Sequence, residues 1–563
     1  MGIFKQTVGI LILAIFTVLA LGGGTMEGAT ASPGTTESYF QIGFAALESG
    51  DYDQAITDFS KALGLDSKRI ESCNGRGLAY YNKGDIARAI TDFETALSLD
   101  PNNADAKRYL AQAQQGGEMP TQQQGNQAST QQLVQAQQLP PEMAQGNSLA
   151  EKLAWLQAFA QSNGNYILEI NADESIGAQT LRYSGKTNIT ITLRGIGRNR
   201  TISTRFEIGA GNTLVFENNI TLNSGGVRVN SDSTFKMNDG SAITGGRGAG
   251  VQVDSNGTFI MSGGTISGFY NDSNDGGGVI NGGTFIMSGG NITYNYSSRL
   301  GAFGGHGGGV YSSGTFTMSG GTISDNSTSD KGGGVYISSG AFELSGGIIT
   351  GNSNGQFGGY QSGGGGVYVS GGTFTMSGGI ISDNKAIGQG TNDGGGGVYI
   401  YSGSEFSTAT FIMKGGTISE NTSYNNGGGV YVYFVNGTFT MSGGTISENI
   451  ALKNGGGVYV ANDGTFNVSN GTISSNYSLT RGGGVFVATQ GTFTKTGGII
   501  TGYTSDKDNG NTVIDASNSI QNFRGHAVFL GSELQTLKIK ESTAGPGDNL
   551  SYRNGTASGA WDN

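Results

Sequence analysis

The chain is 563 residues long with a formal net charge of −11; 103 residues are glycine and only 13% are charged. Without a basic run, an acidic chain of this kind has no electrostatic footprint for nucleic acid, and its one cysteine, Cys73, excludes an intrachain disulfide framework. Charge at about half the usual share, with Ser, Thr, Asn and Gly in its place, suits an extracytoplasmic protein.

The first elements support export. Lys5 precedes an apolar run from Val8 to Leu21, and Ala29-Thr30-Ala31 offers a small-residue cleavage site before Ser32-Pro33. The run is shorter than a comfortable membrane span, so residues 1–31 read as a secretory signal peptide. Left uncleaved, it would be a signal anchor and the chain's only contact with a membrane. No cysteine near the cleavage site is available for acylation. The expected address is the cell surface, the extracellular space or the periplasm.

Residues 36–115 carry a first repeat. Gly43, Ala45, Gly50-Asp51, Ala55-Ile56-Thr57-Asp58-Phe59 and Ala62 return 34 residues later as Gly77, Ala79, Gly84-Asp85, Ala89-Ile90-Thr91-Asp92-Phe93 and Ala96, closing with Asp100-Pro101. This pattern resembles tetratricopeptide repeats. The resemblance implies two antiparallel helices per repeat, close packing through the small residues, and contact with a protein partner such as a peptide or a partner's helix. A further helix is expected from about Ala104 to Gln114. Two repeats fall short of the three or so that stand alone, which favours a partner or self-association over a plain folded spacer.

Residues 116–147 form a glutamine-rich linker with Pro120, Pro140 and Pro141 and little apolar content to bury. Ser148-Leu149-Ala150-Glu151 is a capping box for an amphipathic helix, Leu149 to Gln161, carrying Leu153, Leu156 and Phe159. Residues 148–163 are placed to cover the open first coil of a C-terminal stack of strands, whose bare edges would otherwise invite aggregation.

From 164 to 540 the chain is strands and bends. Irregular alternating segments come first: Tyr166 to Ile170, Asn188 to Leu193, Thr213 to Phe216 and Thr234 to Met237. Then one unit recurs nine times, its phenylalanine at Phe259, Phe285, Phe316, Phe342, Phe374, Phe411, Phe439, Phe466 and Phe493, spaced by 26 to 37 residues. In Thr315-Phe316-Thr317-Met318, Phe316 and Met318 sit two apart and share one face of a strand; Val367-Tyr368-Val369 and Thr322-Ile323-Ser324 alternate likewise. Three short strands and three glycine bends per repeat describe one coil of a right-handed parallel β-helix, a pectin-lyase-like solenoid. A propeller blade would need four strands and about 40–50 residues. About thirteen coils at the parallel strand spacing give a stack roughly 60 Å long. The stack is expected to end at Val528-Phe529-Leu530 and Leu534 to Ile539, with a glycine-rich tail, 541–563, after it. The fold class is therefore multidomain: a small all-α hairpin module and a large all-β solenoid.

The glycine runs read as corners with positive φ rather than phosphate cradles, because no helix comes after them. Asn295, Asn326, Asn352, Asn384, Asn421, Asn449 and Asn476 each stand three residues after an isoleucine and should form an amide ladder at a bend. Phe269 and Tyr503 take that place in the outermost copies. Asp325, Asp383, Glu420 and Glu448 stand one residue before the ladder. They form either a weak calcium row or a solvated acidic edge that discourages edge pairing. Tyr311, Tyr336, Tyr368, Tyr399, Tyr431 and Tyr459, continued by Phe486, face outward beside the inward valines. They are candidates for a ligand-stacking platform, the alternative being a shield for the sheet. The loops at 294–308, 352–363, 385–394 and 402–410 vary most, and binding usually resides on such loops.

Residues 166–563 resemble the glycine-rich β-helical surface proteins of spirochaetes and the passengers of Gram-negative autotransporters. The Gly-Gly-Gly-Val and Ile-x-x-Asn elements are similar to the short repeats of chlamydial polymorphic membrane proteins. The resemblance implies a surface scaffold or adhesin, although only about 60 residues remain after the last repeat, too few for a translocator barrel. His306 lies in Gly305-His306-Gly307, a tripeptide found in polygalacturonases, but it simply extends the glycine run before Val310, and no Asp-Asp pair or Asn-Thr-Asp segment accompanies it. The reading is thus a non-enzymatic binding protein without a cofactor, with a protein partner at the helical repeats and a host glycan or matrix ligand at the β-helix. The alternatives are a structural envelope component without a specific ligand and a carbohydrate-active enzyme.

Overall fold

The computed structural model describes residues 51–100, 103–115 and 141–562, five positions between 39 and 47, and omits short loop segments such as 299–303, 356–361, 403–406 and 532–535. The signal segment and most of the glutamine-rich linker lie outside the described residues. The chain divides into two compact units, residues 1–135 and 136–563. Among the described residues, no helix is long and apolar enough to cross a membrane.

The first unit contains α1 (Tyr52–Leu65), α2 (Ile70–Asn82), α3 (Ile86–Leu99) and α4 (Ala104–Gln115). Its 34-residue period recurs in the caps. Asp51 accepts from the Gln54 N–H at 3.1 Å and Asp85 from the Arg88 N–H at 3.2 Å, satisfying one orphan donor at each helix start. The small residues of the repeat are spacers. A Cβ at Gly75 would lie 2.5 Å from the Phe59 ring, and one at Gly77 the same distance from Phe93. Both phenylalanines are fully buried. Arg76 straps α2 to α3 and α1: Nε and Nη2 reach the Asp92 carboxylate at 2.9 and 2.8 Å, and Nη1 reaches Ser60 at 3.1 Å.

The second unit is the expected parallel β-helix. Its Val-x-Val row has fourteen strands, thirteen of them parallel and in sequence order. The last strand, Thr536–Lys540, turns back antiparallel on Val528–Gly531 and closes the row. The Phe and Met columns hold register from Phe259 to Phe493, and successive rings stack at 4.5 to 4.8 Å between Phe259 and Phe466. The irregular first coils keep the same columns with other residues, for example Leu193, Phe216 and Met237 in line. Each fully buried Phe, Met or Ile contributes about 1.5–3 kcal/mol of transfer free energy.

Three details differ from expectation. Each regular coil has a fourth, two-residue strand after the ladder asparagine, such as Ser327–Thr328 or Lys385–Ala386; two residues are too few for alternation to register in sequence. The β-structure also starts inside the expected linker, where Pro141–Met143 pairs in parallel with Asn165–Ile167. Residues 541–563 form no plain tail: Leu550–Arg553 and Thr556–Gly559 make a hairpin that pairs antiparallel with Thr492–Lys495.

The cover of the first coil is α5 (Leu149–Phe159). Its Leu149, Leu153 and Leu156 join the solenoid core, but Phe159 is exposed, its ring tilted against Trp155. Ser148 caps Glu151 at 3.2 Å. Glu151 returns its bond to the Asn147 N–H at 2.7 Å rather than to Ser148, and the Leu149 N–H is held by Glu174.

Candidate functional site

The Val-x-Val row sets the outward column, and its occupants change along the stack. From the fourth coil it runs Gln252, Ile280, Tyr311, Tyr336, Tyr368, Tyr399, Tyr431, Tyr459, Phe486 and Phe529. Rings are parallel and 4.8 to 5.4 Å apart from Tyr311 to Tyr399. Tyr431 is turned edge-on to Tyr399 and Tyr459.

The column points away from the coil interior as expected, but it is not an exposed platform. Tyr368 and Tyr399 are 0% exposed, Tyr431 2% and Tyr336 8%; only Tyr311 and Tyr459 are half-buried. The glycine-rich approach to each coil folds back over the rings. A Cβ at Gly363 would fall 2.3 Å from the Tyr399 ring, so only glycine lets the backbone lie there. The Tyr399 hydroxyl donates to the Asn392 carbonyl at 2.8 Å. Tyr401 and Tyr433, further outward residues of the same strands, pack beside the column. Burial pushes the phenols of Tyr368, Tyr399 and Tyr431 well above the ordinary tyrosine value. The stacking-platform expectation is corrected for these central rings: they are roofed interior.

One end of the roof carries charge. His306 stacks on Tyr336 with centroids 4.5 Å apart. Its Nδ1 lies 2.8 Å from Asp275 Oδ1 and its Nε2 3.5 Å from Asp330 Oδ2, and Lys331 Nζ stands 3.7 Å from the same Asp330 oxygen. Burial alone would lower the His306 pKa, but the bonds to Asp275 and Asp330 outweigh it, and the imidazole titrates above the usual value. The sequence shows His306 only as an extension of a glycine run. Its partners come from the coils before and after it, which no local spacing reveals.

The asparagine ladder forms as expected. Each Nδ2 donates to the Oδ1 of the next at 2.9 to 3.0 Å from Asn295 to Asn476, and each backbone N–H reaches that same oxygen at 3.0 Å. Phe269 stands at its start, its N–H donating to Asn295 at 3.1 Å. The other terminal assignment is corrected: Asn511, not Tyr503, receives the bond from Asn476, at 2.8 Å, because the loop after Ile500 is longer than in other coils. Asp325, Asp383, Glu420 and Glu448 all adopt positive φ, 51 to 58°, and lie in one outer column. No group of three or more His, Cys, Asp or Glu side chains among the described residues could hold a metal ion.

Residues 36–69 and 70–103 each match the tetratricopeptide-repeat family, in agreement with the helical packing of the first unit. No curated protein matches the chain.

Proposed function

We propose that this is an exported, non-enzymatic binding protein of adhesin type, in which the tetratricopeptide unit contacts another protein and the β-helix is a rigid display scaffold. The observation that carries this reading is the union in one chain of two repeats of a protein-contact family with thirteen coils held in register. The apolar run from Val8 to Leu21 and the low charge support export. The resemblance to spirochaete and autotransporter surface proteins supports display on the outside of the cell. A non-enzymatic role is supported by His306, the histidine nearest a carboxylate pair: both ring nitrogens already face Asp275 and Asp330, leaving neither for a substrate proton.

The burial of Tyr368 and Tyr399 favours one second reading, a structural envelope component without a specific ligand. Protease treatment of intact cells, with immunodetection of the β-helix, separates the two. Loss of the β-helix from intact cells supports display. Survival until the outer envelope is permeabilised overturns it in favour of a periplasmic scaffold.

A further inference from the structure

Charge is unevenly distributed along the solenoid. Seven arginines fall between Arg182 and Arg247, whereas residues 248–498 hold only Arg299 and Arg481. Arg194, Arg198 and Arg228 are paired with Glu217, Asp173 and Asp254. Arg205 and Arg247 line one cleft of about 360 Å³, within the size range of small-ligand sites. Arg205 is exposed and makes no ion pair among the described residues. Arg247 is 86% exposed and has one loose partner, Asp272, at 3.5 Å.

The cleft lies where the aromatic column has not yet begun. Gln252 and Ile280 occupy the outward position that Tyr311 takes in the next coil, and both line the cleft together with Asn271. Backbone forms the remaining wall at Gly225, where a Cβ would lie 1.6 Å from the Thr204 carbonyl oxygen. At the rim, Arg247 is in register with Tyr270, and Tyr270 with Tyr296. These two rings stack at 5.1 Å, and Tyr270 is 42% exposed. Tyr270 thus sets an exposed aromatic ring beside the arginine cleft, in contrast to the central rings of the roofed column.

We propose that this cleft binds an acidic residue of a glycan. The two guanidiniums receive its carboxylate or sulfate, the Gln252 amide meets ring hydroxyls, and a neighbouring sugar packs on Tyr270. Gln252 is free to turn, since its bond to Asp254 is long, 3.4 Å, and Asp254 is already held by Arg228. The anion displaces Asp272 from Arg247. This assignment rests on the binding-protein reading and names its ligand class.

The test is calorimetric titration of the purified full chain with a sulfated, uronate-containing oligosaccharide, with its desulfated and carboxyl-reduced counterpart, and with inorganic sulfate. The acidic oligosaccharide should bind at least about tenfold more tightly than the neutral one, and weaken with salt. Arg205→Ala/Arg247→Ala should abolish that preference and flatten the salt response, while Tyr270→Ser should weaken both sugars. Both arginines are exposed, so the variants should melt like the parent; the wild-type preference and salt response require no variant. Equal binding of the acidic and neutral sugars overturns the proposal, as does an unchanged double variant. Inorganic sulfate binding as tightly as the oligosaccharide overturns the glycan assignment. None of these outcomes depends on where the chain is displayed, so failure here and failure of the protease experiment are separate results.

Discussion

At the scale of single residues, the asparagines hold the most concentrated share of polar bonding. Asn384 donates through Nδ2 to Asn421 Oδ1 and the Ile349 carbonyl, at 3.0 and 2.9 Å, while its Oδ1 accepts the backbone N–H and the amide of Asn352. Asn384→Ala leaves several buried groups without partners and should cost about 3 kcal/mol, read as a lowered urea midpoint. Asp383→Asn, one residue away and solvated, should be nearly neutral. The two histidines should respond to pH in opposite senses. His306 has a raised pKa in the folded state, so its stabilising contribution is complete below the ordinary value of 6.5 and is lost as pH rises through the folded value. Burial lowers the pKa of His526, which accepts the Val513 N–H at Nδ1, so its contribution holds above 6.5 and is lost as pH falls through its folded value. Hydrogen exchange around Lys331–Tyr336, corrected for the intrinsic rate, should therefore quicken from about pH 6 to about pH 9, and His306→Gln should remove that dependence. Inward residues such as Phe316 and Met318 were legible in the sequence because alternation marks them. The burial of Tyr368 was not, because its cover comes from the approach to a neighbouring coil, where Lys331 lies over the ring, a contact that spacing within one repeat does not show.

Among elements, the helical unit shows how a repeat motif encodes distance. Gly77 faces Phe93 at a separation that admits no Cβ, so Gly77→Ala should move α2 away from α3 and cost about 1–3 kcal/mol through overpacking. Loss of the helical far-ultraviolet signal at a lower temperature, with the β-sheet transition unmoved, would confirm that the two units melt separately. The same small residues made the helices readable in sequence. The strand Pro141–Met143 was not readable, because three exposed residues that begin at the second of two consecutive prolines look like linker until the edge they pair with is known. Nor was the terminal hairpin, Leu550 to Gly559. It closes the last coil by pairing with Thr492–Lys495, where Lys495 takes the inward position held by methionine in most other coils, and the turn leading into the hairpin bonds its ammonium through the Gly545 and Asp548 carbonyls.

For the whole molecule, the stack behaves as a sum of coils and the bonds between them. Val335 lies directly beside Val367 in register, so deleting residues 335–366 removes one coil and rejoins Gly334 to Val367 with every column intact. The shortened chain should fold and melt within a few degrees of the parent, whereas deleting half that segment throws the inward columns on either side out of line and should yield insoluble protein. The arginine cleft was not legible in the sequence, because Arg205 and Arg247 meet only once the coil path is known. Between successive ladder asparagines the chain length varies from 26 to 37 residues, yet the amide contact stays at 2.9 to 3.0 Å from Asn295 to Asn476. Scaffold and surface are thereby uncoupled: a loop can lengthen, shorten or change its chemistry while the amides on either side still meet. The molecule can vary what it touches without altering how it folds.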